Sequence, residues 1–192
     1  MTPPLSVIKA FSGVPGFLHV AFDQLLQEIQ ALDQRLIDVE QQLAELASQS
    51  EVCRRLRTIP GIGLIASTAF SGAVGDIGSF RSPRRFASWL GLTPREHSSG
   101  NTRHLGAISK RGDGYLRMLL VHGARAVLYS GDAAQRAGRP IDALRAWGMR
   151  VRDRCGHNKA AVVIANKLAR IVWATWYRQR DFDCRPPHAV AV

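Results

Sequence analysis

The chain has 192 residues, nearly half of them apolar, enough for one well-packed domain plus an extension. Its formal net charge of +11 is unevenly placed: residues 1–51 hold Lys9 and Arg35 against seven carboxylates, so that stretch carries −5 and the rest +16. An acidic arm on a strongly basic body points to a polyanionic partner, nucleic acid first. No apolar run is long enough to cross a membrane, no secretory leader is recognisable, and the scattered Cys53, Cys155 and Cys184 fit reduced thiols better than a disulfide frame or zinc site. Together these features predict a cytoplasmic, nucleoid-associated protein with no membrane partner.

Residues 1–19, with Pro3, Pro4, Gly13, Pro15 and Gly16, read as an irregular lead-in. From Leu25 a heptad runs through Ile29, Leu32, Leu36, Val39, Leu43 and Leu46 in alternating steps of four and three. Glycine and proline are absent from Phe17 through Ile59, so the spacing predicts one long helix from about Val20 to Thr58, with residues 20–55 as a coiled-coil-like arm. Self-association through this arm predicts a homo-oligomer. In a parallel dimer Arg35 would meet Glu40 favourably, but Glu28 would face Asp33. An antiparallel pairing, or a helix packed on its own domain, fits the pattern as well.

Residues 56–180 are expected to form a compact helical domain, followed by a disordered tail over 181–192. It opens with Leu56-Arg57-Thr58-Ile59-Pro60-Gly61-Ile62-Gly63, then apolar residues at helical spacing. This is a helix-hairpin-helix pattern, in which Pro60, Gly61, Ile62 and Gly63 would bring backbone N–H groups against a DNA phosphate. A glycine-rich turn between two packed helices has the same local sequence. Helices are then predicted over Leu64–Ser71, from Ser82-Pro83 to near Gly91, from Asp113 to about Tyr129, over Ile141–Arg154 and over Asn158–Arg178. Gly72–Phe80 and Ser130–Arg139 read as glycine-rich connections, and a short ribbon fits within Ser98–Ile108. The fold class is mainly α.

Between the Trp89 helix and the Tyr115 helix lies a long polar loop, Gly91–Asp113, centred on Ser98-Ser99-Gly100. Loops of this length inside a compact domain are uncommon and usually functional or disordered. Attack by a serine on a phosphodiester needs a proton acceptor, for which His97 and His104 are candidates. It also needs cations for the developing charge, and Arg95, Arg103, Lys110 and Arg111 are nearby in sequence. Serines acting only as turn residues, with the basic groups holding phosphate, fit the same composition.

From about residue 25 to residue 177 the chain resembles the C-terminal half of insertion-sequence transposases of the IS110/IS116/IS902 type. The resemblance rests on ordered motifs: Arg57–Gly63, Phe80–Pro94, the P-x-x-x-x-S-G loop at Pro94–Gly100, I-S-K-R-G-D-x-Y-L-R at the start of Ile108–Arg125, and N-K-A-x-V at the start of Asn158–Trp173. It implies DNA transposition by a recombinase whose serine, Ser99 by position and Ser98 as the less favoured alternative, forms a covalent phosphoserine link to DNA. It also implies a RuvC-like partner domain with a divalent-metal (Mg) carboxylate set, and an element-encoded guide (bridge) RNA. This chain matches no such carboxylate domain, and Asp33, Asp38 and Glu45 read as solvated charges, so no metal ligand or cofactor is assigned here. The expectation is therefore a recombinase domain that is incomplete alone. The alternative is a catalytically silent nucleic-acid-binding and oligomerising remnant or regulator.

Overall fold

The computed structural model describes residues 15–96, 98–99, 102 and 104–183. The protein is mainly α, with one short two-stranded ribbon among the described residues. Its contacts divide it after Glu45 into an arm and a body.

Helix α1 spans Gly16–Gln49, and its residues through Glu45 belong to the arm. It starts before the expected Val20, because Gly16 already lies in the helix. Leu25, Ile29, Leu32, Leu36, Val39 and Leu46 are all exposed along it. The predicted single helix to Thr58 is broken at Ser50. That residue takes an extended conformation, and its Oγ accepts the Cys53 amide at 3.3 Å, capping a separate helix α2, Glu51–Leu56. The absence of glycine and proline concealed this break, since a serine cap competes with helix continuation through its own side chain.

Helix α3, Leu64–Val74, runs past the expected Ser71 and stops at Gly75, whose φ is +66°. Asp76 caps a 3-10 turn at Ile77–Ser79, its carboxylate accepting the Gly78 amide at 2.8 Å. Ser82 caps α4, Pro83–Trp89, by accepting the Arg85 amide at 3.3 Å. Strands β1, Pro94–Glu96, and β2, Leu105–Ile108, pair antiparallel.

Helix α5, Gly114–Arg136, is capped by Asp113, which accepts the Leu116 amide at 2.9 Å. It continues through the stretch after Tyr129 that the sequence marks as a glycine-rich connection. Gly131 does not break it. A Cβ there would stand 2.9 Å from Met149 Sδ, so this glycine serves close packing against α6, Ala143–Cys155. Asp142 caps α6 and also pairs with Arg145, whose Nε donates to Ser130 Oγ at 2.8 Å. Arg152 of α6 reaches Asp132 of α5 at 2.6 Å. Gly156, at φ +82°, separates α6 from α7, His157–Tyr177.

Helix α7 is the spine of the body. Ala160/Ala161, Ile164/Ala165 and Leu168/Ala169, three pairs about one helical turn apart, and Val172 one turn farther on are fully buried. Four of these seven are alanine, which lets α4, α5 and α6 pack closely against it. Phe86 of α4 sits in an aromatic cluster, edge-on to Phe80 at 5.0 Å and stacked on Trp89 at 5.9 Å. Trp173 ties α7 to that cluster, its Nε1 donating to the Phe80 carbonyl at 3.0 Å. The predicted tail at 181 is anchored in its first residues: Asp181 pairs with Arg54 at 3.5 Å, and the Phe182 amide donates to Thr58 Oγ1 at 2.8 Å. No helix among the described residues is long and apolar enough to cross a membrane.

Candidate nucleic-acid interface

The hairpin between α2 and α3 is held from inside. Ile59 and Ile62 are in the core, and Thr58 Oγ1 donates to the Arg55 carbonyl at 2.7 Å. Gly61 has φ +87°, and a Cβ on it would lie 2.5 Å from the Gly123 carbonyl of α5; the reciprocal distance, Gly123 Cβ to Gly61 O, would be 2.3 Å. Two glycines therefore let the hairpin and α5 cross backbone to backbone. Of the four residues expected to face phosphate, Gly61 and Ile62 are directed inward and Pro60 is half-buried. Gly63 is exposed with open space around it, and it begins α3 without a side-chain cap. The open amides at this end of α3 are what a phosphate would meet.

The ribbon carries the serines. Pro94 stands opposite Ile108 and Glu96 opposite Leu105, with a bulge between the pairs. Farther along, Ser99 and Thr102 exchange both backbone hydrogen bonds at 3.2 Å. Ser98 and Ser99 are both exposed but differ in their hydroxyls. Ser98 Oγ donates to Glu96 Oε1 at 2.8 Å and accepts the His104 amide at 3.3 Å. Ser99 Oγ has no hydrogen-bond partner among the described residues. Arg103, with His97 and Gly100, lies outside them.

The ribbon's base is fixed tightly to the body. The Ser109 amide donates to the Thr93 carbonyl at 2.8 Å and the Lys110 amide to Gly91 at 3.0 Å. Arg117 Nη1 donates to the Leu90 carbonyl at 3.1 Å, and Asn166 Nδ2 of α7 to the Leu92 carbonyl at 2.9 Å. A Cβ on Gly112 would collide with the Trp89 carbonyl at 1.9 Å, so the returning chain passes directly over the end of α4. Arg117 and Asn166 thus position the ribbon, although the sequence reading gave them no such role. An asparagine in the middle of a largely apolar helix face was the available signal for Asn166.

Of the predicted cations, Arg103 lies outside the described residues, and the other three sit at two levels of the ribbon. Arg95 lies on β1, exposed and without a carboxylate partner among the described residues. Lys110, at φ +55°, and Arg111 sit at the base. From Thr93 at that base to Ser99 is up to about 20 Å at the strand rise of ~3.3 Å per residue. Among the described residues no group of three or more His, Cys, Asp or Glu side chains is placed to hold a metal ion.

A sequence profile of the transposase IS116/IS110/IS902 family matches residues 53–138, which include the hairpin, the ribbon and α5. A probable family 20 transposase of Pseudomonas aeruginosa is 42% identical over 166 residues, covering 86% of this chain and 47% of that protein. The transposase for insertion sequence element IS1111A of Coxiella burnetii is 36% identical over 181 residues, covering 94% of this chain and 48% of its own length. A pilin gene-inverting protein of Moraxella bovis is 35% identical over 133 residues, 68% of this chain and 38% of that one. The chain spans about half the length of the relatives it matches, and it belongs to the IS116/IS110/IS902 transposase family.

Proposed function

We propose that this chain is the serine-bearing, DNA-binding part of an insertion-sequence transposase, and that Ser99 is its nucleophile in DNA transposition. The observation that carries the assignment is the difference between the two serine hydroxyls. Ser98 is committed to Glu96 and His104, whereas Ser99 is exposed at the outer part of the ribbon and its hydroxyl has no hydrogen-bond partner among the described residues. In the proposed step Ser99 Oγ forms a bond to a DNA phosphorus, one bridging ester oxygen departs with its electron pair, and the serine proton passes to a base such as His104. The departing oxygen takes up a proton from solvent, and its return attack reverses the link. Exposed Arg95 supplies charge on the same ribbon, while Lys110 and Arg111 would hold the strand farther back; Arg103 is included in this reading by sequence alone.

DNA is the partner proposed for the Pro60–Gly63 hairpin, a second copy of the chain for the arm, and a guide RNA for the complete recombinase. Metal-dependent chemistry would fall to the RuvC-like domain that the resemblance implies. The test is a covalent protein–DNA adduct formed with cognate element ends, in the presence of a full-length relative and its RNA. Ser99→Ala should abolish the adduct and Ser98→Ala should retain it; the reverse pattern overturns the assignment. DNA binding without any adduct, under every pairing, would favour a binding and oligomerising regulator instead.

A further inference from the structure

Two clefts on the body meet at α7. One, of about 430 Å³, lies between α6 and α7 and is walled by Trp147, Val163 and Lys167. The other, of about 320 Å³, lies between α4 and the base of the ribbon and is walled by Arg84, Thr93, Glu96 and Leu105. Asn166 and Arg170 line both, so the clefts adjoin across one face of α7. None of this surface belongs to the hairpin or the serines.

Its charge is one-sided. Arg84, Lys167 and Arg170 come from two helices, and none has a carboxylate within ion-pair distance among the described residues. The one acid in the walls, Glu96, already accepts a hydrogen bond from Ser98. Lys167 is held over the Trp147 ring, its Nζ 4.3 Å from the centroid. An aromatic ring orients an ammonium without cancelling its charge, so Lys167 is both placed and available to an anion. Lys167 and Arg170 are three residues apart on one helix, which puts their Cβ atoms about 5–6 Å apart along the groove. The walls of the second cleft include both strands of the ribbon that carries Ser99. A strand engaged at Ser99 and running back along the ribbon therefore enters this groove.

We propose that the paired clefts are a track for the sugar–phosphate backbone of the DNA strand presented to the ribbon, with Lys167, Arg170 and Arg84 as its phosphate contacts. The inference rests on the DNA-handling reading above. It adds a second binding surface that positions the strand without reading its sequence.

The test uses the full chain and a labelled DNA duplex of arbitrary sequence. The double variant Lys167→Gln/Arg170→Gln should bind at least about tenfold more weakly. It should also lower the slope of log affinity against log salt by about 2, one per lost phosphate contact. Lys167→Arg/Arg170→Lys keeps the charges and should retain the wild-type slope, which separates charge loss from damage to α7. A photo-crosslinker at exposed Val163 should capture DNA, and one at Tyr129, which lines neither cleft, should not. An unchanged salt slope in the double variant, while wild type binds DNA, overturns the track and leaves the function proposed for Ser99 standing. Capture of RNA alone from Val163 overturns the DNA assignment. No DNA binding by the wild-type chain overturns both.

Discussion

Gly123→Ala offers a sharp test of the packing, because local and tertiary effects on it have opposite signs. Gly123 lies inside α5, where alanine in place of glycine stabilises a helix by about 1 kcal/mol. The new Cβ, however, would stand 2.3 Å from the Gly61 carbonyl oxygen. Relaxing that contact to an ordinary ~3.3 Å requires the hairpin or α5 to move by about 1 Å. The obstructing atom is backbone, and Ile59 and Ile62 anchor its segment in the core, so little of the movement is free. Overpacking costs ~1–3 kcal/mol, and because backbone must shift here the cost falls at about 2–3 kcal/mol, which leaves a net destabilisation of about 1–2 kcal/mol after the helix gain. For a domain of this size that lowers Tm by about 3–8 °C.

Tryptophan fluorescence is the suitable readout, since Trp89, Trp147, Trp173 and Trp176 all lie in the body and the arm contributes nothing. Gly72→Ala is the internal control. It is also helical, but nothing lies within 4 Å of its Cβ, so the same change there should raise stability by up to about 1 kcal/mol. A Gly123→Ala protein as stable as wild type, or more so, would refute the backbone crossing.

Asn166→Ala removes the donor to the Leu92 carbonyl and should cost about 1–2 kcal/mol, with faster amide exchange at Ser109 and Lys110; unchanged exchange there would remove its positioning role. The hydrogen bond from Arg152 holds the Asp132 carboxyl below its ordinary pKa of 3.8, so the pair's contribution is fully present above that value and is lost as pH falls through the lower folded value. Because both groups are partly exposed, Asp132→Asn should cost less than about 1 kcal/mol at neutral pH. The gap from wild type in urea melts should close on acidification, and a widening gap would contradict the sign. Replacing Leu32 and Leu36 together by asparagine should shift light-scattering mass to the monomer if a second copy covers the arm's apolar stripe; an unchanged mass would exclude that stripe as the contact.

Much of the fold was legible because its signals are local. Ser82-Pro83, Asp113 and Gly156 mark helix boundaries through side-chain caps or backbone freedom, and they act where the sequence places them. The errors arose where tertiary context changed what a residue does. Gly131 reads as a breaker but is a packing site beneath Met149, and Ser50 reads as helix interior but is a cap. At the candidate site, the two serines cannot be separated by composition; their hydroxyl partners, set by the ribbon's register, distinguish them. The ties from Arg117 and Asn166 to the ribbon's base span 27 and 74 residues, beyond the reach of any periodicity.

The bond from the Phe182 amide to Thr58 Oγ1 joins residues 124 positions apart. At a synthesis rate of ~5–20 residues per second, the Thr58 side of the hairpin waits about 6–25 s after its own translation for that partner to be made. The hairpin comes early in the body but acquires this clamp only after the segment beyond α7 has been synthesised. Its complete form is therefore a late product of translation, and the same separation makes the contact a slow one to re-form on refolding.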